Sequence, residues 1–405
     1  MLRKIVHRAL RHRHFWRDLS FDELSELYIA VMLRGLAISM TGLFVPLYML
    51  RLGFTSLDVC VLVACFFSYR IVLDIASAYV IAAIGPKHTM LIGYVFQIFS
   101  TASFVWLSFA ELPLWLLGLL WGGSASFFFV PFHVDFSKVK HSVHGGKELS
   151  YINIMERVGS LMGPVIGGLV ATLFGGQYLF IISGIVLLIG IAPLFKSVEP
   201  VQTHQKLSFK SLDARKLVRD ISSHIAFGVE NTISMLLWPL FLAATVLVGS
   251  RSYVQFGVII SISFLVSIVA ARIVGRKIDS REGRSVLRYN AWLNAVLHLL
   301  RPLVGNFGSA FAVNIANEAV TPGYRMPYLK GMYDAADDLP GYRIVYLATM
   351  ECTASMVKAA IWWALVMMAA NIQMTSVFVV GFLVAAVASI TITGEKFQAL
   401  ESVKS

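Results

Sequence analysis

The sequence predicts an all-α integral membrane protein, with twelve spanning helices arranged as two pseudo-symmetric six-helix bundles. Three observations predict it. First, the chain is 57% hydrophobic and only 14% charged, with a mean hydropathy of +0.73, well outside the range of soluble domains. Second, stretches of ~20 largely apolar residues, each long enough to cross a bilayer as a helix, recur along its whole length. Third, two segments return at one displacement. Ile38-Ser39-Met40 recurs as Ile233-Ser234-Met235, and Tyr151-Ile152-x-x-Met155-Glu156 as Tyr346-Leu347-x-x-Met350-Glu351, each 195 residues on in a chain of 405. Two matches sharing one displacement point to a duplicated half, and duplicated halves in a membrane protein point to a carrier.

Residues 1–23 form a basic segment expected to be cytoplasmic, with Arg3, Lys4, Arg8, Arg11, Arg13 and Arg17. No apolar core followed by a small-residue cleavage site is found in it, so a removable signal peptide is not indicated. Leu2, Ile5, Val6 and Leu10 place it either on the anionic inner leaflet as a short amphipathic helix or in an organellar presequence. Ser20-Phe21-Asp22-Glu23 reads as a capping box opening the first span.

The first bundle, residues 24–195, holds spans at 24–50, 57–82, 88–109, 113–134, 149–173 and 177–195. The stretch 196–218, with Pro200, His204, Lys206, Lys210, Arg215 and Lys216, is the longest polar interruption and reads as a cytoplasmic linker. The second bundle, residues 219–394, holds spans at 219–247, 253–274, 286–304, 307–329, 343–369 and 373–394, and 395–405 is a cytoplasmic tail. Charge marks the first span (Arg34), the ninth (Arg301) and the tenth (Glu318, Arg325). Pro46 and Pro239 follow the two Ile-Ser-Met copies late in the first and seventh spans. There a proline frees a backbone carbonyl and bends the helix, as an inherited kink or as part of a gate.

The net charge of +11 is a topology signal. The N-terminal segment, alternate loops and the tail hold 26 of the 34 Lys and Arg; the opposite loops hold only Arg51 and Arg251, and six lie within spans. That asymmetry is the positive-inside pattern, and it predicts a multi-pass protein of the cell (inner) membrane with both termini cytoplasmic. It argues against nucleic acid as a partner. Cys60, Cys65 and Cys352 all fall within predicted spans, with no CxxC or Cys/His spacing. Neither a disulfide nor a metal site is expected. His133, His141 and His144, near one end of the fourth span, read as solvated loop residues.

Two local patterns carry a family resemblance. In the fifth span Gly159-x-x-x-Gly163-Pro164-x-x-Gly167-Gly168 gives a small-residue face on which a neighbouring helix can approach closely. Between the eighth and ninth spans runs Gly275-Arg-Lys-Ile-Asp279-Ser-Arg-Glu-Gly283-Arg284. With twelve spans as six plus six and a basic central loop, these segments resemble motif C and, with one residue inserted, motif A of the major facilitator superfamily. The resemblance implies that fold, a central cavity lined by the first, fourth, seventh and tenth spans, and transport by alternating access. It also implies that Asp279 helps latch the cytoplasmic side, with Arg284 beside it. The first-half motif A is eroded: Gly85-Pro86-Lys87 remains, but Ala78, Ala82 and Ala83 fill the other positions. Motif C implies antiport, whereas Gly118 stands where drug–proton antiporters carry the arginine of motif B.

An ionisable side chain at mid-bilayer costs ~3 kcal/mol or more, so each is expected to face protein or water with a partner. Arg34 and Glu230 sit at similar depths in the first and seventh spans. Arg34 maps at the repeat displacement to Val229, so the two are expected to meet across the cavity at the pseudo-twofold. Glu230 then carries a coupling proton while Arg34 tunes it or holds an anionic substrate; alternatively the pair is a permanent bridge. Glu318, beside Asn314 and Asn317, is the second candidate, and Trp238 is expected to line the cavity. Arg325 is either a cavity-mouth anion site or a snorkelling anchor, the anchor being favoured. Arg70, Asp74, Glu351 and Lys358, from the second and eleventh spans, are expected to glue the halves together or to gate them. Glu156 and Arg157 share that ambiguity, and duplication alone accounts for Glu156.

The function expected is a secondary active transporter, with no cofactor, working as a monomer in the bilayer on a small molecule and protons. Export of an amphipathic or hydrophobic compound by antiport leads. Symport of a sugar, amino acid or nucleoside, and flipping of a lysolipid or glycolipid, are the alternatives. No Walker A pattern, HExxH or G-x-S-x-G supports an ATP-driven pump or an intramembrane enzyme.

Overall fold

Every major helix pairing in the first half recurs six helices later in the second. The computed structural model describes residues 21–139, 145–191, 204, 206–207, 214–249, 251–280, 282–337 and 343–400. In order, the helices are α1 (Phe21–Thr41, continued by a 3₁₀ turn at Gly42–Phe44 and a helical segment Val45–Arg51), α2 (Ser56–Ile84), α3 (Pro86–Trp106), α4 (Leu114–Val139), α5 (Gly145–Leu173) and α6 (Gln177–Ile191). Then come α7 (Ala214–Thr232, continued by π turns Ile233–Leu237 and Leu242–Val246 around Trp238–Phe241), α8 (Ser252–Asp279), α9 (Gly283–Leu300), α10 (Phe307–Asp337), α11 (Arg343–Ala369) and α12 (Met374–Ile392).

Within the first half α1 packs on α5 and α6, α2 on α4, and α3 on α4 and α6. The second half repeats this as α7 on α11 and α12, α8 on α10, and α9 on α10 and α12. The halves meet along two equivalent seams, α2 on α11 and α5 on α8.

Among the described residues nine helices are long and apolar enough to cross a membrane by length and composition. The other three deviate for physical reasons. α6 is apolar but only 15 residues long as described. α9 and α10 carry the charges noted in the sequence, and several of these are buried in protein: Arg301 is fully buried, and Glu318 nearly so. Outward-facing residues are apolar, among them Val72, Phe99, Leu188, Val269 and Val387, as a lipid-facing surface requires.

Element ends follow local chemistry. Thr55 caps α2: its hydroxyl accepts from the Asp58 amide while Asp58 accepts from the Thr55 amide, a capping box. Gly85 takes φ +88° between α2 and α3, a conformation open to glycine. The capping box expected at Ser20, the greater part of the linker 196–218, His141 and His144 lie outside the described residues; α7 begins at Ala214, inside that linker. Both prolines break helical regularity. Pro46 follows the 3₁₀ turn in α1, and Pro239 lies between the two π turns of α7, because proline lacks an amide hydrogen and crowds the preceding turn.

Candidate functional site

The motif C glycines make both contacts of α5. On one edge Gly159 lies against the Met32 backbone and Gly163 against Ser39 and the Leu36 carbonyl of α1, so closely that any methyl group would collide. On the other, a methyl at Gly168 would come within 2.7 Å of the Tyr253 carbonyl, and the Pro164 carbonyl meets Gly257 of α8. Gly167 is pressed on Leu179 and the Met40 carbonyl. Small residues thus set both an intra-half and an inter-half spacing.

Beside this seam lies a small cavity, lined from α7, α8 and α10 of the second half and by Arg157 of the first. Asn231, Ser234, Met235, Trp238 and Pro239 come from α7, Ile260 and Phe264 from α8, and Asn314, Asn317, Glu318, Thr321, Tyr324 and Arg325 from α10. Arg157 pairs with Glu318 across the halves at 3.2 Å and lies 4.5 Å from the Phe264 ring centre. The Glu318 Oε2 atom in that pair receives no directed hydrogen bond, so the bridge is a loose one. Arg325 approaches Glu156 at 3.9 Å, again across the halves, rather than snorkelling as an anchor. Trp238 Nε1 donates to Asn314 Oδ1 at 3.1 Å, and Asn314 Nδ2 donates to Ser263 Oγ at 2.9 Å, which fixes the indole in the wall.

Behind that wall Glu230 is enclosed by its own half. Its Oε1 accepts from Ser234 Oγ at 2.7 Å and from Asn294 Nδ2 at 2.9 Å, with His298 Nε2 at 3.2 Å. Its Oε2 accepts from the Tyr324 hydroxyl at 2.8 Å. Arg301 completes the network: it donates to Asn317 Oδ1 at 2.8 Å and to Ser234 Oγ at 3.2 Å, lies 3.0 Å from His298 Nδ1, and stacks 5.1 Å from the Trp238 ring. Ser234, Asn317 and Tyr324 belong both to this network and to the cavity wall.

Arg34 and Glu230 do not meet, contrary to the sequence expectation. Arg34 is buried between α1, α3 and α4, with its guanidinium 3.9 Å from the Phe128 ring centre and 5.7 Å from those of Tyr94 and Phe129. The physical reason is helix rotation. Positions one residue out of register turn each charge into the core of its own bundle, beside Phe129 in the first half and the cavity-lining Tyr324 in the second.

Comparison with known proteins agrees with this architecture. Residues 141–321 match the family description Major Facilitator Superfamily. The fold matches the crystal structure of the human organic anion transporter MFSD10 (TETRAN), with a TM-score of 0.63 and 11% sequence identity, covering 92% of this chain and 99% of that one. The chain has the major facilitator superfamily fold, and residues 141–321 carry that family's sequence pattern. It is a multi-pass membrane protein by that fold. No curated protein sequence matches it.

In this fold the quartet expected between α2 and α11 is drawn together in part. Arg70 bridges to Glu351 of the other half at 3.0 Å and to Asp74 at 3.4 Å, and Asp74 accepts from Ser355 of α11 at 2.8 Å. Lys358 instead lies 4.9 Å from the Phe67 ring centre. Two histidines join them. His133 Nε2 and His224 Nε2 lie 3.6 and 3.4 Å from Glu351 Oε1, and His133 Nδ1 is 2.7 Å from the Tyr333 hydroxyl. His133 is thus a largely buried residue of α4 and not a solvated loop histidine, because its face of the helix meets Tyr333 and Glu351 of the other half. Among the described residues no cluster suited to a metal ion is found. Of the motif A pair, Arg284 donates to Glu395 at 2.9 Å and to the Phe397 carbonyl at 2.9 Å, both within the second half, while Asp279 ends α8 half-buried.

His224, Asn294, His298 and Arg301 were not singled out by sequence reasoning as members of a site. The signal available was their occurrence as polar residues inside apolar spans, with Asn294 and His298 one turn apart and His298 and Arg301 three apart on one helix face. The halves touch at both ends of the seams. Near the basic loops Phe136 packs on Tyr333 with ring centres 5.1 Å apart and Ser150 Oγ donates to the Ala271 carbonyl at 3.0 Å. At the opposite end Phe44 packs on Phe256 at 5.5 Å and Arg51 donates to the Gly249 carbonyl and to Ser252 Oγ.

Proposed function

We propose that this protein is a proton-coupled secondary transporter of an amphipathic organic compound, working as a monomer with both termini cytoplasmic. On this reading, residues 24–195 and 219–394 rock against one another about the cavity. The observation that carries this is the Arg157–Glu318 bridge: a buried ion pair between the halves, lining a cavity with an aromatic and amide wall. A proton on Glu318 neutralises one partner and frees the other, so proton binding changes both the site's charge and the tie between halves. Trp238 and Phe264 supply flat apolar contact, and Asn231, Asn314 and Asn317 supply directed polar contact.

The sign of coupling follows from the same bridge. A cationic compound competes with the proton for Glu318, giving exchange; an acidic compound is drawn to the freed Arg157, giving cotransport. Motif C, whose glycines set the α5–α8 seam, supports exchange with export. The organic anion transporter matched in structure shares the fold at 11% identity, so the substrate class here is argued from side chains alone.

Reconstituted protein enclosing a pH-sensitive dye tests the reading, with ethidium as the amphipathic cation and 1-naphthoate as the amphipathic acid. Compound-dependent proton movement is expected in the parent protein and its loss in Glu318→Gln. Proton movement unchanged by that substitution would overturn the assignment of Glu318.

A further inference from the structure

Four arginines are buried among the described residues: Arg34, Arg70, Arg157 and Arg301. Arg70 has Asp74 and Glu351, Arg157 has Glu318, and Arg301 has Asn317, Ser234 and His298. Arg34 differs. It is 4% exposed, its single hydrogen bond is a 3.5 Å contact to the Ser124 carbonyl, and its Nε and Nη1 atoms have no partner. Among the described residues no carboxylate is within ion-pair distance; Glu156, the acidic group whose field it feels, is engaged by Arg325 at 3.9 Å.

A guanidinium withdrawn from water without a counter-charge is costly, and one close aromatic face returns about 2 kcal/mol of that. What would satisfy it is an anion. The repeat points to an approach: Phe129, 5.7 Å from the Arg34 guanidinium, lies 195 residues before Tyr324, which lines the cavity of the second half. Phe129 thus holds the matching place in the first half, one ring away from two unfilled N–H donors.

Resting on the transporter reading above, we propose that Arg34 is the receptor for an acidic group on the transported compound. It would take a carboxylate, sulfonate or phosphate monoester, admitted past Phe129 and flanked by the Phe128 and Tyr94 rings. A planar guanidinium with two free donors suits a two-oxygen head group, and the rings suit an aromatic body next to it. The compound is then an amphipathic organic anion, the acidic case of the coupling set out above, whose cotransport sign departs from the exchange that motif C favours.

The experiment uses the full chain in detergent and two probes of one shape, naphthalene-1-sulfonate and the neutral 1-naphthylmethanol, with binding read by calorimetry. The parent protein is expected to prefer the sulfonate by about tenfold or more, as one charge-assisted pair supplies. Arg34→Gln should erase the preference while leaving the alcohol's affinity, and Arg34→Lys should keep part of it. Should Arg34→Gln fail to fold, the lysine variant decides alone: lysine lacks the planar fork, so an undiminished preference would overturn the proposal. A preference unchanged in folded Arg34→Gln, or absent in the parent protein, would also overturn it. Loss of the preference in Arg157→Gln but not in Arg34→Gln would move the acidic group to Arg157, overturning this proposal. That outcome leaves the Glu318 reading intact, since proton movement in liposomes judges it separately.

Discussion

Arg34 and Glu230 stand one residue out of register in the two halves, yet each faces into its own bundle. Arg34 closes on Phe129 of α4 at 5.7 Å, and Glu230 closes on Tyr324 of α10 at 2.8 Å. Phe129 and Tyr324 are themselves 195 residues apart, so matching places on α4 and α10 set a ring against a cation in one half and a phenol against a carboxylate in the other. The second half surrounds its charge with Asn294, His298 and Arg301, and Arg34 has no such set of partners among the described residues.

That asymmetry predicts unequal mutational costs. Glu230→Ala would leave Arg301, His298, Asn294 and Tyr324 buried around an empty site, and breaking such a network costs about 3–5 kcal/mol. Glu230→Gln keeps the shape and is expected to cost less. Thermal unfolding in detergent should rank the parent protein above Glu230→Gln, and that variant above Glu230→Ala; equal midpoints for all three would contradict the described network.

The Arg157–Glu318 bridge predicts rescue by exchange. Arg157→Glu places two carboxylates together, and Glu318→Arg places two guanidinium groups together, each repulsive in a low-dielectric site. The double variant restores opposite charge. It should recover folding stability lost by the single variants, with a coupling energy of about 1 kcal/mol or more. Additive losses in the double variant would show that the two side chains do not interact.

Much of the fold was legible because the bilayer imposes it. Apolar stretches of sufficient length, alternating basic loops and the displaced repeats need no tertiary detail to be read. The site was less legible, and Arg34 shows why. Its depth was readable from its place in the span, but a rotation of roughly 100° per residue separates facing the cavity from facing the bundle core, and one sequence does not fix that angle. His133 was misplaced by a related ambiguity, since the apolar run does not show which face of α4 meets the other half. Glu156 was read as joining or gating the halves, with duplication sufficient to explain its presence; Glu156 and its repeat Glu351 both reach the opposite half, to Arg325 and to Arg70 with His133.

The glycine seam predicts a steric block. A methyl at Gly257 has no room against the Pro164 carbonyl, and one at Gly159 has none against Met32. Gly159→Ala acts within the first half and should destabilise the protein by about 1–3 kcal/mol, the usual cost of overpacking. Gly257→Ala acts between the halves, so its main effect is expected on the balance of states, measured as compound uptake falling more than the unfolding midpoint. A fall in midpoint at Gly257 as large as at Gly159, with uptake intact, would contradict this division.

The α2–α11 seam contains its own reporter. Cys352 Sγ donates to the Ile71 carbonyl of the opposite half at 3.3 Å, directly beside Glu351, which joins Arg70, His133 and His224. Glu351→Gln removes the charge that draws these groups together, and a hydrogen bond to a charged group is worth about 1.5–3 kcal/mol. Separation of the seam should then become about tenfold more frequent. In a background with Cys60→Ser and Cys65→Ser, maleimide labelling of Cys352 should accelerate by a comparable factor. Ser355→Ala removes only the neutral donor to Asp74 and should accelerate labelling far less. A labelling rate that Glu351→Gln leaves unchanged would mean that apolar packing alone holds these two helices together.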